Sequence, residues 1–471
     1  MPGEKSDRVF RLFDLRSHKG ESDCWIAIHG NVYNVTKFLN SHPGGKRVIL
    51  QHAGTDATAA FDDVHPVEIL DEYLRPDQLL GKVELTDQNV TAKKQSTTVD
   101  SPPMAIILSI AEMESLALQR LSPKAISYYA SGSDDEITKV ANASIFKSIL
   151  LRPRVFVDCS SCWLSTTILG NRVGLPIYIS PAAMAKLAHS SGEAGIASAC
   201  SRFNALQIIS KNASMSVADI VRAGPNAVFA WQLYVLKDLK ATERTLAQIK
   251  TIPQIKFIVL TLDAPFPGKR EADERYKAAE VARGAPPQVW GTNASLTWGK
   301  TLSWLQRHTD LPIVLKGIQT HEDAYLASQF PAVKGVILSN HGGRALDTAN
   351  TPMQVLLEIR KYCPQVVCQV DVLIDGGIKR GTDVVKALAL GAKGVGLGRA
   401  ALYGLAVGGE EGVYRSLQIL ADETATAMRL LGVSNVNDLG PHHVNTAALE
   451  SLLYDGPSGL EMIADRTGAR L

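Results

Sequence analysis

Residues 312–340 contain two short apolar runs, PIVLKG (312–317) and GVILSN (335–340), joined by a window with helical periodicity. Both runs are rich in β-branched residues, which is typical of parallel strands buried on both faces. Runs of the same type occur on either side of this unit: LPIYIS (175–180), LQIIS (206–210), AVFAWQLYV (227–235), KFIVLTLDAP (256–265), QVDVLIDGG (369–377) and GVGLGR (394–399). Eight strand–helix units in roughly 250 residues predict an α/β fold, a (β/α)8 TIM barrel.

A doubly wound open sheet is the alternative arrangement of such units, but the GxGxxG signature that would support it is missing after the first strand. Residues 271–297 interrupt the alternation between the fourth and fifth runs with charged residues, Gly and Pro. An insertion of this kind predicts a lid or an exposed loop over the barrel mouth.

The composition is that of a globular protein with two or three domains, because 45% of the 471 residues are hydrophobic and 20% are charged. With 49 Lys and Arg against 47 Asp and Glu, the net charge is +2, which argues against a nucleic-acid partner. Residues 1–100 carry 12 basic and 15 acidic side chains, a net of −3, so the rest of the chain carries +5.

Targeting signals are few. No run reaches the roughly 18–20 apolar residues that a membrane span needs, so no membrane partner is expected. The N-terminal MPGEKSDRVF contains no apolar segment, and no secretory or mitochondrial presequence is visible. Six Cys residues suit a reducing compartment. The C-terminal Ala469-Arg470-Leu471 resembles a relaxed Ser-Lys-Leu peroxisomal address, so cytoplasmic and peroxisomal locations both stay open.

Three segments follow from the pattern along the chain. Residues 6–84 alternate short strands and helices, which predicts a small α+β domain. Residues 85–104 are polar, lack periodicity and end near Pro102-Pro103, as expected of a linker. Residues 105–465 then form the barrel domain.

Two histidines in the N-terminal domain, His42 of HPGG and His65 of FDDVH, lie 23 residues apart. Two imidazoles on opposed elements can ligate one iron from both faces, which leaves no open position and suits electron transfer. HPGG, AGTDAT, FDDVH and LLGKV resemble the cytochrome b5 haem-binding family. The resemblance implies haem b (protohaem IX) with His42 and His65 as axial ligands.

Polar residues also mark the carboxyl ends of the predicted barrel strands, where the chemistry of TIM barrels gathers. They are Ser210, Gln232, Tyr234, Thr261, Asp263, Lys316, His341, Arg344, Asp375 and Arg399. The sequences DGG (375–377) and GLGR (396–399) follow the last two strands, the usual phosphate site of this fold. A mononucleotide such as FMN is therefore favoured over a dinucleotide.

The barrel motifs together resemble the FMN-dependent L-2-hydroxy acid dehydrogenase/oxidase family over about residues 105–440. The motifs are SNHGGRALD, YISPAAMAKLA, WQLYV, TLDAPFPGKRE, PIVLKGI, IDGGIKRGTDVVKAL and GAKGVGLGR. A haem domain ahead of such a barrel resembles the flavocytochrome b2 type of L-lactate dehydrogenase (cytochrome).

The resemblance implies roles for the substrate side of the site. His341 would be the base that removes a proton from the 2-hydroxy acid, and Asp263 would orient it. Arg344 would clamp the substrate carboxylate, a bidentate task that suits a guanidinium. The remaining contacts would be Tyr128 to the carboxylate, Tyr234 to the hydroxyl and Arg270 from the lid side.

The resemblance also implies how FMN is held. Lys316 would sit at the flavin edge where reduction builds negative charge. Other contacts would come from Ser210, Gln232 and Thr261 to the ring, Asp375 and Gly376 near the ribityl chain, and Gly377, Gly398 and Arg399 at the phosphate. Lys379 stands where the family usually has Arg, so its charge remains but a bidentate grip on the cofactor is lost.

The substrate pocket departs from the family pattern at Asn212, a position that relatives fill with an apolar or aromatic residue. Asn212 and Ala183 together predict a small, partly polar pocket. Such a pocket admits lactate, glycolate or a 2-hydroxy acid with a polar tail, because a buried amide favours ligands that hydrogen-bond to it.

Three functions remain to be separated. The first is a haem- and FMN-dependent L-2-hydroxy acid dehydrogenase that delivers electrons to cytochrome c or a similar acceptor. The second is an oxidase that reduces oxygen to hydrogen peroxide. The third is a redox sensor built on a barrel that has lost its catalytic activity. The complete set of predicted site residues argues against this third function. The family resemblance suggests a homotetramer.

Overall fold

The computed structural model describes residues 8–42, 45–62, 64–66, 69–84, 103–283 and 291–461. The predicted linker lies outside these residues except for its last two positions, and so does the C-terminal tripeptide. Among the described helices, none is both long and apolar enough to cross a membrane.

The N-terminal part forms a five-stranded sheet within the described ranges, in the order β1-β5-β4-β3-β2. Its elements are β1 Val9–Arg11, α1 Leu12–Leu15, β2 Lys19–Gly20, β3 Asp23–Ile28, β4 Asn31–Asn34, α2 Lys46–Gln51, α3 Thr58–Asp62, α4 Ile69–Tyr73 and β5 Leu79–Glu84. The β3–β4 hairpin turns through His29 and Gly30, both at positive φ (49° and 73°). Left-handed backbone at both positions matches the twist of the two antiparallel strands.

Strand β3 shows why this sheet has two buried faces. Cys24, Ile26 and Ile28 lie in one apolar cluster, which also contains Leu39 from the loop before α2. Ala27, one residue out of phase, lies in a second cluster on the other face. This alternation follows from the two-residue period of a strand. Phe38 and Phe61, which pack against the first cluster, lie beside the predicted haem ligands His42 and His65.

The barrel is closed, with eight parallel strands in the described residues, so the predicted TIM barrel is confirmed. Its strands are β9 Ile177–Ile179, β10 Leu206–Ile209, β11 Val228–Leu233, β12 Ile255–Thr261, β13 Ile313–Ile318, β14 Val333–Leu338, β15 Asp371–Asp375 and β16 Gly394–Leu397. Before them come β6 Leu150–Leu151, β7 Thr166–Ile168 and β8 Asn171–Val173, and β17 Val444–Asn445 pairs with β6. Tyr178, Ile208, Phe257 and Leu373 fill the barrel interior.

Helices cover the barrel from outside. They are α5 Ile110–Arg120, α6 Pro123–Tyr129, α7 Ile137–Ser144, α8 Gly192–Arg202, α9 Val217–Ala223, α10 Leu239–Lys250, α11 Glu271–Ala282, α12 Trp298–His308, α13 His321–Ser328, α14 Pro352–Tyr362, α15 Val366–Gln369, α16 Gly381–Ala389 and α17 Arg399–Leu431. Helix α17 is kinked at Gly408 and Gly409, whose φ/ψ angles are not helical. Arg120 donates to the carbonyl of Val407 just before this kink.

The first part of the insertion, residues 271–283, is more ordered than an exposed loop. It begins with the twelve-residue helix α11, which packs against α6; residues 284–290 lie outside the described chain. The Gly and Pro residues of the insertion lie beyond this helix. Within it, strong helix formers and the acidic first turn of Glu271, Asp273 and Glu274 favour the helix.

Candidate functional site

The carboxyl ends of the barrel strands bring most of the predicted site residues together. The Ser210 Oγ donates to Gln232 Oε1 at 3.5 Å, and Gln232 Nε2 donates to Thr261 Oγ1 at 3.0 Å. All three side chains are buried. They form a row of hydrogen-bonding groups along one side of the mouth, the kind of edge that the polar rim of a flavin ring requires.

The predicted base and its orienting acid are in direct contact. His341 Nδ1 lies 2.8 Å from Asp263 Oδ1, and the Asp263 side chain is fully buried whereas 27% of the His341 side chain is exposed. Burial alone would raise the pKa of Asp263, but His341 and Lys316 together hold it below its usual value. Asp263 is therefore an ionised acceptor, so a neutral imidazole in contact with it would carry its proton on Nδ1 and leave the Nε2 lone pair for the substrate.

Backbone conformation places this pair. His341, Gly342 and Gly343 follow β14 with three successive positive φ angles of 59°, 68° and 74°, which turn the imidazole into the mouth. Gly317 has φ 98°, and a Cβ there would lie 2.5 Å from Asp263 Cγ. The Tyr234 hydroxyl lies 3.5 Å from His341 Nε2. A substrate hydroxyl within hydrogen-bond distance of both groups would meet one base and one polar partner.

Lys316 is a buried cation in this site. Its Nζ lies 3.1 Å from Asp375 Oδ2 and donates to Ser339 Oγ at 2.7 Å. Burial would lower the pKa of Lys316, but Asp375 and Asp263 outweigh that effect and raise it. A fixed positive charge of this kind can stabilise negative charge that develops on a reduced flavin.

Arginines occupy the substrate side of the mouth. Arg344 Nη1 donates to the carbonyls of Tyr128 (2.6 Å) and Tyr129 (3.1 Å) at the C-terminal end of α6. The guanidinium carbons of Arg344 and Arg270 lie 5.2 and 5.5 Å from the Tyr128 ring centroid. Burial and the nearby Arg270 lower the pKa of Arg344 to about 10. Arg270 also forms an ion pair with the buried Asp273 at 2.9 Å. Two guanidinium groups beside one tyrosine suit an organic carboxylate.

The phosphate end of the site is built from glycines and a helix terminus. Gly376 and Gly377 have φ 102° and 80°. A Cβ at Gly398 would meet no described atom within 4 Å, so space remains beside the first turn of α17. Arg399 uses one amino group on the Gly342 carbonyl at 2.6 Å. Backbone donors at a helix N-terminus next to a guanidinium fit a phosphate monoester.

Lys379, predicted as a cofactor contact, has a carboxylate partner in the structure. Its Nζ forms an ion pair with Glu114 Oε2 at 2.7 Å. The Lys379 charge is therefore already engaged in the structure, and a phosphate would have to compete with this carboxylate for it.

The predicted pocket residues lie on adjoining loops. The Met184 amide, which follows Ala183, donates to the Asn212 carbonyl at 3.1 Å, and Asn212 is exposed at the mouth.

A buried acid, Glu193, holds the backbone of the same two loops. Its carboxylate accepts from the amides of Ala185 (3.0 Å) and Ser214 (2.9 Å). The sequence reasoning missed Glu193, because an acid in the first turn of a helix is usually an exposed cap.

The N-terminal domain brings its two predicted ligands next to each other, with their ring planes inclined by 73°. The ring centroids of His42 and His65 are 6.0 Å apart. A metal about 2 Å from one nitrogen of each ring would separate the centroids by roughly 6 Å, so an iron fits between them. His42 Nδ1 lies 3.0 Å from the Gly45 carbonyl, which leaves its Nε2 for the metal. Burial lowers the pKa of both rings, to about 4 for His65, so both are neutral as ligands must be.

Comparisons with known proteins identify two domains in this chain. Residues 117–446 match the family model of FMN-dependent dehydrogenases, and residues 11–84 match that of the cytochrome b5-like haem/steroid binding domain. The L-lactate dehydrogenase (cytochrome) of Wickerhamomyces anomalus is 35% identical over 93% of this chain and 80% of its own length. The glycolate oxidase of Spinacia oleracea is 37% identical over 75% of this chain and 98% of its own.

A solved structure of a flavocytochrome b2 double mutant with pyruvate bound has a TM-score of 0.70 and 38% identity to this chain. The alignment covers 76% of this chain and 90% of the solved chain. Because the dehydrogenase model matches well over half of the chain, the family is established. The chain belongs to the FMN-dependent dehydrogenases, with FMN as the cofactor of its barrel and haem as the cofactor of a cytochrome b5-like domain.

Proposed function

We propose that this enzyme oxidises a small L-2-hydroxy acid, L-lactate or a close analogue, to the 2-oxo acid and passes the electrons through its haem to cytochrome c or a similar acceptor. The observation that carries the proposal is the 2.8 Å contact between His341 and the buried Asp263, beside the buried Lys316, in a chain that also pairs His42 with His65.

The side chains divide the work on the substrate. Arg344, Arg270 and Tyr128 bind the carboxylate, and Tyr234 hydrogen-bonds to the hydroxyl. His341 Nε2 takes up a proton, and the adjacent Asp263 carboxylate stabilises the imidazolium that results. When bound, FMN accepts two electrons from the substrate and the haem relays electrons singly. Lys316 holds a positive charge at the flavin site throughout, because Asp375 keeps it protonated.

The cofactor contacts are part of this proposal. The residues that we assign to FMN are Ser210, Gln232, Thr261, Lys316, Asp375, Gly376, Gly377, Lys379, Gly398 and Arg399. We assign the substrate side chain to a small pocket beside Ala183 and Asn212, where the exposed Asn212 would supply one amide. This pocket supports lactate and glycolate as substrates, and a polar-tailed 2-hydroxy acid as a third class.

An oxidase that gives its electrons to oxygen and releases hydrogen peroxide is the second candidate. It is favoured by the glycolate oxidase of Spinacia oleracea, 98% of whose length aligns with this chain. That alignment spans only 75% of this chain. The adjacent His42 and His65 favour the haem route, since they would hold a haem that can accept electrons from the flavin.

Exposed apolar side chains and net charge support proposals for the assembly and for the electron acceptor. We propose a homotetramer, supported by the exposed apolar side chains of Val155, Phe156 and Trp163. The net charge of −3 on residues 1–100 supports a basic electron acceptor. The domain limits that we propose are 6–84 for the haem domain, 85–104 for the linker and 105–465 for the barrel domain. For the location, Ala469-Arg470-Leu471 supports the peroxisome as an alternative to the cytoplasm.

Anaerobic stopped-flow mixing of the purified holoenzyme with L-lactate or glycolate tests the function. We expect the flavin absorbance to bleach first and the haem band to be reduced after it. A silent haem, with peroxide formed once air is admitted, would establish the oxidase instead. His341→Gln should abolish flavin reduction while both cofactors stay bound; normal turnover would refute the assignment of the base.

A further inference from the structure

Two buried asparagines outside the predicted site form a reciprocal amide pair. Asn142 Nδ2 donates to Asn340 Oδ1 at 2.8 Å, and Asn340 Nδ2 donates to Asn142 Oδ1 at 2.8 Å. Only 1% of either residue is exposed. The two positions are 198 residues apart in the chain, on helix α7 and on the loop after β14.

Backbone partners determine which way these amides face. Asn340 Oδ1 also accepts from the Gly343 amide at 3.1 Å, and Asn340 Nδ2 also donates to the Asn350 carbonyl at 3.1 Å. Turning the Asn340 amide over would place donor against donor and acceptor against acceptor. Asn142 must therefore supply one donor and one acceptor in matching positions, a requirement that an amide meets and a carboxylate does not.

The pair joins two parts of the catalytic site. Asn340 directly precedes His341, so its side chain anchors the loop that carries the proposed base. Asn142 lies against the phosphate end, since a Cβ at Gly377 would be 2.1 Å from the Asn142 carbonyl oxygen, and one at Gly376 would be 3.3 Å from Asn142 Nδ2. Only glycine allows an approach this close.

Helix α7 holds the same loop at a second point. The Asp347 carboxylate accepts from the amides of Ile137 (3.2 Å) and Thr138 (2.7 Å) in the first turn of α7. The Ala349 amide donates to Thr138 Oγ1 at 3.0 Å. The N-terminal turn of α7 thus binds the far side of the base loop, while Asn142, more than one turn later, binds its start.

We propose that Asn142 is a positioning residue that links the base loop to the phosphate loop, so that FMN retention and the alignment of His341 depend on one amide pair. The inference rests on the proposed roles of His341 and Gly377. Asn142 need not touch substrate or cofactor to act in this way.

The test is Asn142→Asp, with FMN affinity measured by quenching of flavin fluorescence at pH 8 and at pH 6, and expressed relative to the unmodified enzyme at each pH. An ionised carboxylate cannot donate to Asn340 Oδ1, so we expect FMN to bind roughly 10- to 100-fold more weakly at pH 8. A protonated carboxyl carries one O–H donor and one acceptor, so the deficit should shrink at pH 6, since burial favours the neutral form.

Two further variants complete the design. Asn142→Ala removes the donor at every pH, so its deficit should be the same at pH 8 and pH 6. Asn445→Asp introduces the same charge at an exposed position where the side-chain oxygen only accepts, from the Ala447 amide, and should leave FMN affinity unchanged. If Asn142→Asp does not fold, the alanine variant still reports the loss.

The second measurement is the flavin reduction rate at saturating FMN, which should fall in Asn142→Asp at pH 8 because the base loop is displaced. Unchanged FMN affinity in both Asn142 variants would overturn the proposal, as would weaker FMN binding with an unchanged reduction rate. A failure of His341 as the base would appear as normal flavin reduction in His341→Gln, whereas a failure of the proposed link would leave His341→Gln inactive and appear only in the Asn142 variants.

Discussion

Asp263→Asn should slow flavin reduction by about a thousandfold while leaving the fold and both cofactors in place. The asparagine side chain has the same size, and its Oδ1 can still accept from His341 Nδ1 at the observed 2.8 Å. What the substitution removes is the negative charge. The effect therefore isolates the electrostatic part of the role of Asp263 from its part in holding the imidazole.

The magnitude follows from the burial of the pair. The Asp263 side chain is fully buried, so its charge is poorly screened by water. Two unit charges about 4 Å apart interact by about 4 kcal/mol at an effective dielectric constant near 20. This attraction is gained as His341 becomes charged, and losing it raises the barrier by a similar amount. At 1.36 kcal/mol for each factor of ten, the rate falls about 10³-fold.

Anaerobic stopped-flow absorbance at saturating substrate measures this rate directly. Asp371→Asn is the matched control: Asp371 begins β15 at the other end of the barrel and accepts from the Leu169 amide at 2.6 Å. This variant makes the same chemical change and should retain the reduction rate. Flavin and haem absorbance spectra of both variants verify that the cofactors remain bound.

The reasoning fails if Asp263→Asn, with FMN bound, reduces its flavin within tenfold of the unmodified rate. Such a result would mean that the carboxylate charge does not stabilise the protonated base. An equal loss in Asp371→Asn would also contradict it, because the effect would then reflect a general weakening of the barrel.

Three other changes test separate parts of the structure. Gly317→Ala should reduce activity at least tenfold, because its Cβ would lie 2.5 Å from Asp263 Cγ at φ 98°; turnover assays with L-lactate measure this. Burial and His42 lower the pKa of His65 in the folded chain to about 4, from 6.5 in the unfolded chain. Between pH 4 and pH 6.5 the unfolded chain therefore binds more protons than the folded chain. Urea unfolding of the haem-free chain should therefore show stability falling by up to about 3 kcal/mol from pH 6.5 to pH 4. Asn212→Leu should raise kcat/KM for an apolar-tailed 2-hydroxy acid relative to glycolate by up to about tenfold, measured as a ratio of steady-state constants.

The barrel was predictable because a short apolar run rich in β-branched residues marks each strand in the sequence. Runs such as PIVLKG and GVILSN match β13 and β14 to within two residues, and the fold rule then places chemistry at the strand ends. The contact between Asp263 and His341 was expected from the family resemblance. Its distance and the burial of the acid came only from the folded chain.

Residues that act through tertiary pairing gave no such local signal. Asn142 lies within a short helix, where the sequence alone would suggest an exposed side chain. Its hydrogen-bond partner, Asn340, is 198 residues away. The motif around Lys379 predicts a cofactor contact but gives no sign of its ion pair with Glu114, 265 residues earlier. Such pairings depend on how helices pack around the barrel, which no local pattern encodes.

Asp263 serves two cations at once, and this sharing explains the arrangement of the site. It contacts His341 directly and helps to raise the pKa of Lys316, whose own ion pair is with Asp375. When His341 takes up its proton, a second positive charge appears near Lys316. Without a carboxylate in contact with that new charge, repulsion between the two cations would oppose the step. The buried acid therefore allows a charged base and a charged lysine to occupy the same mouth, as proton uptake beside an electron-accepting site requires.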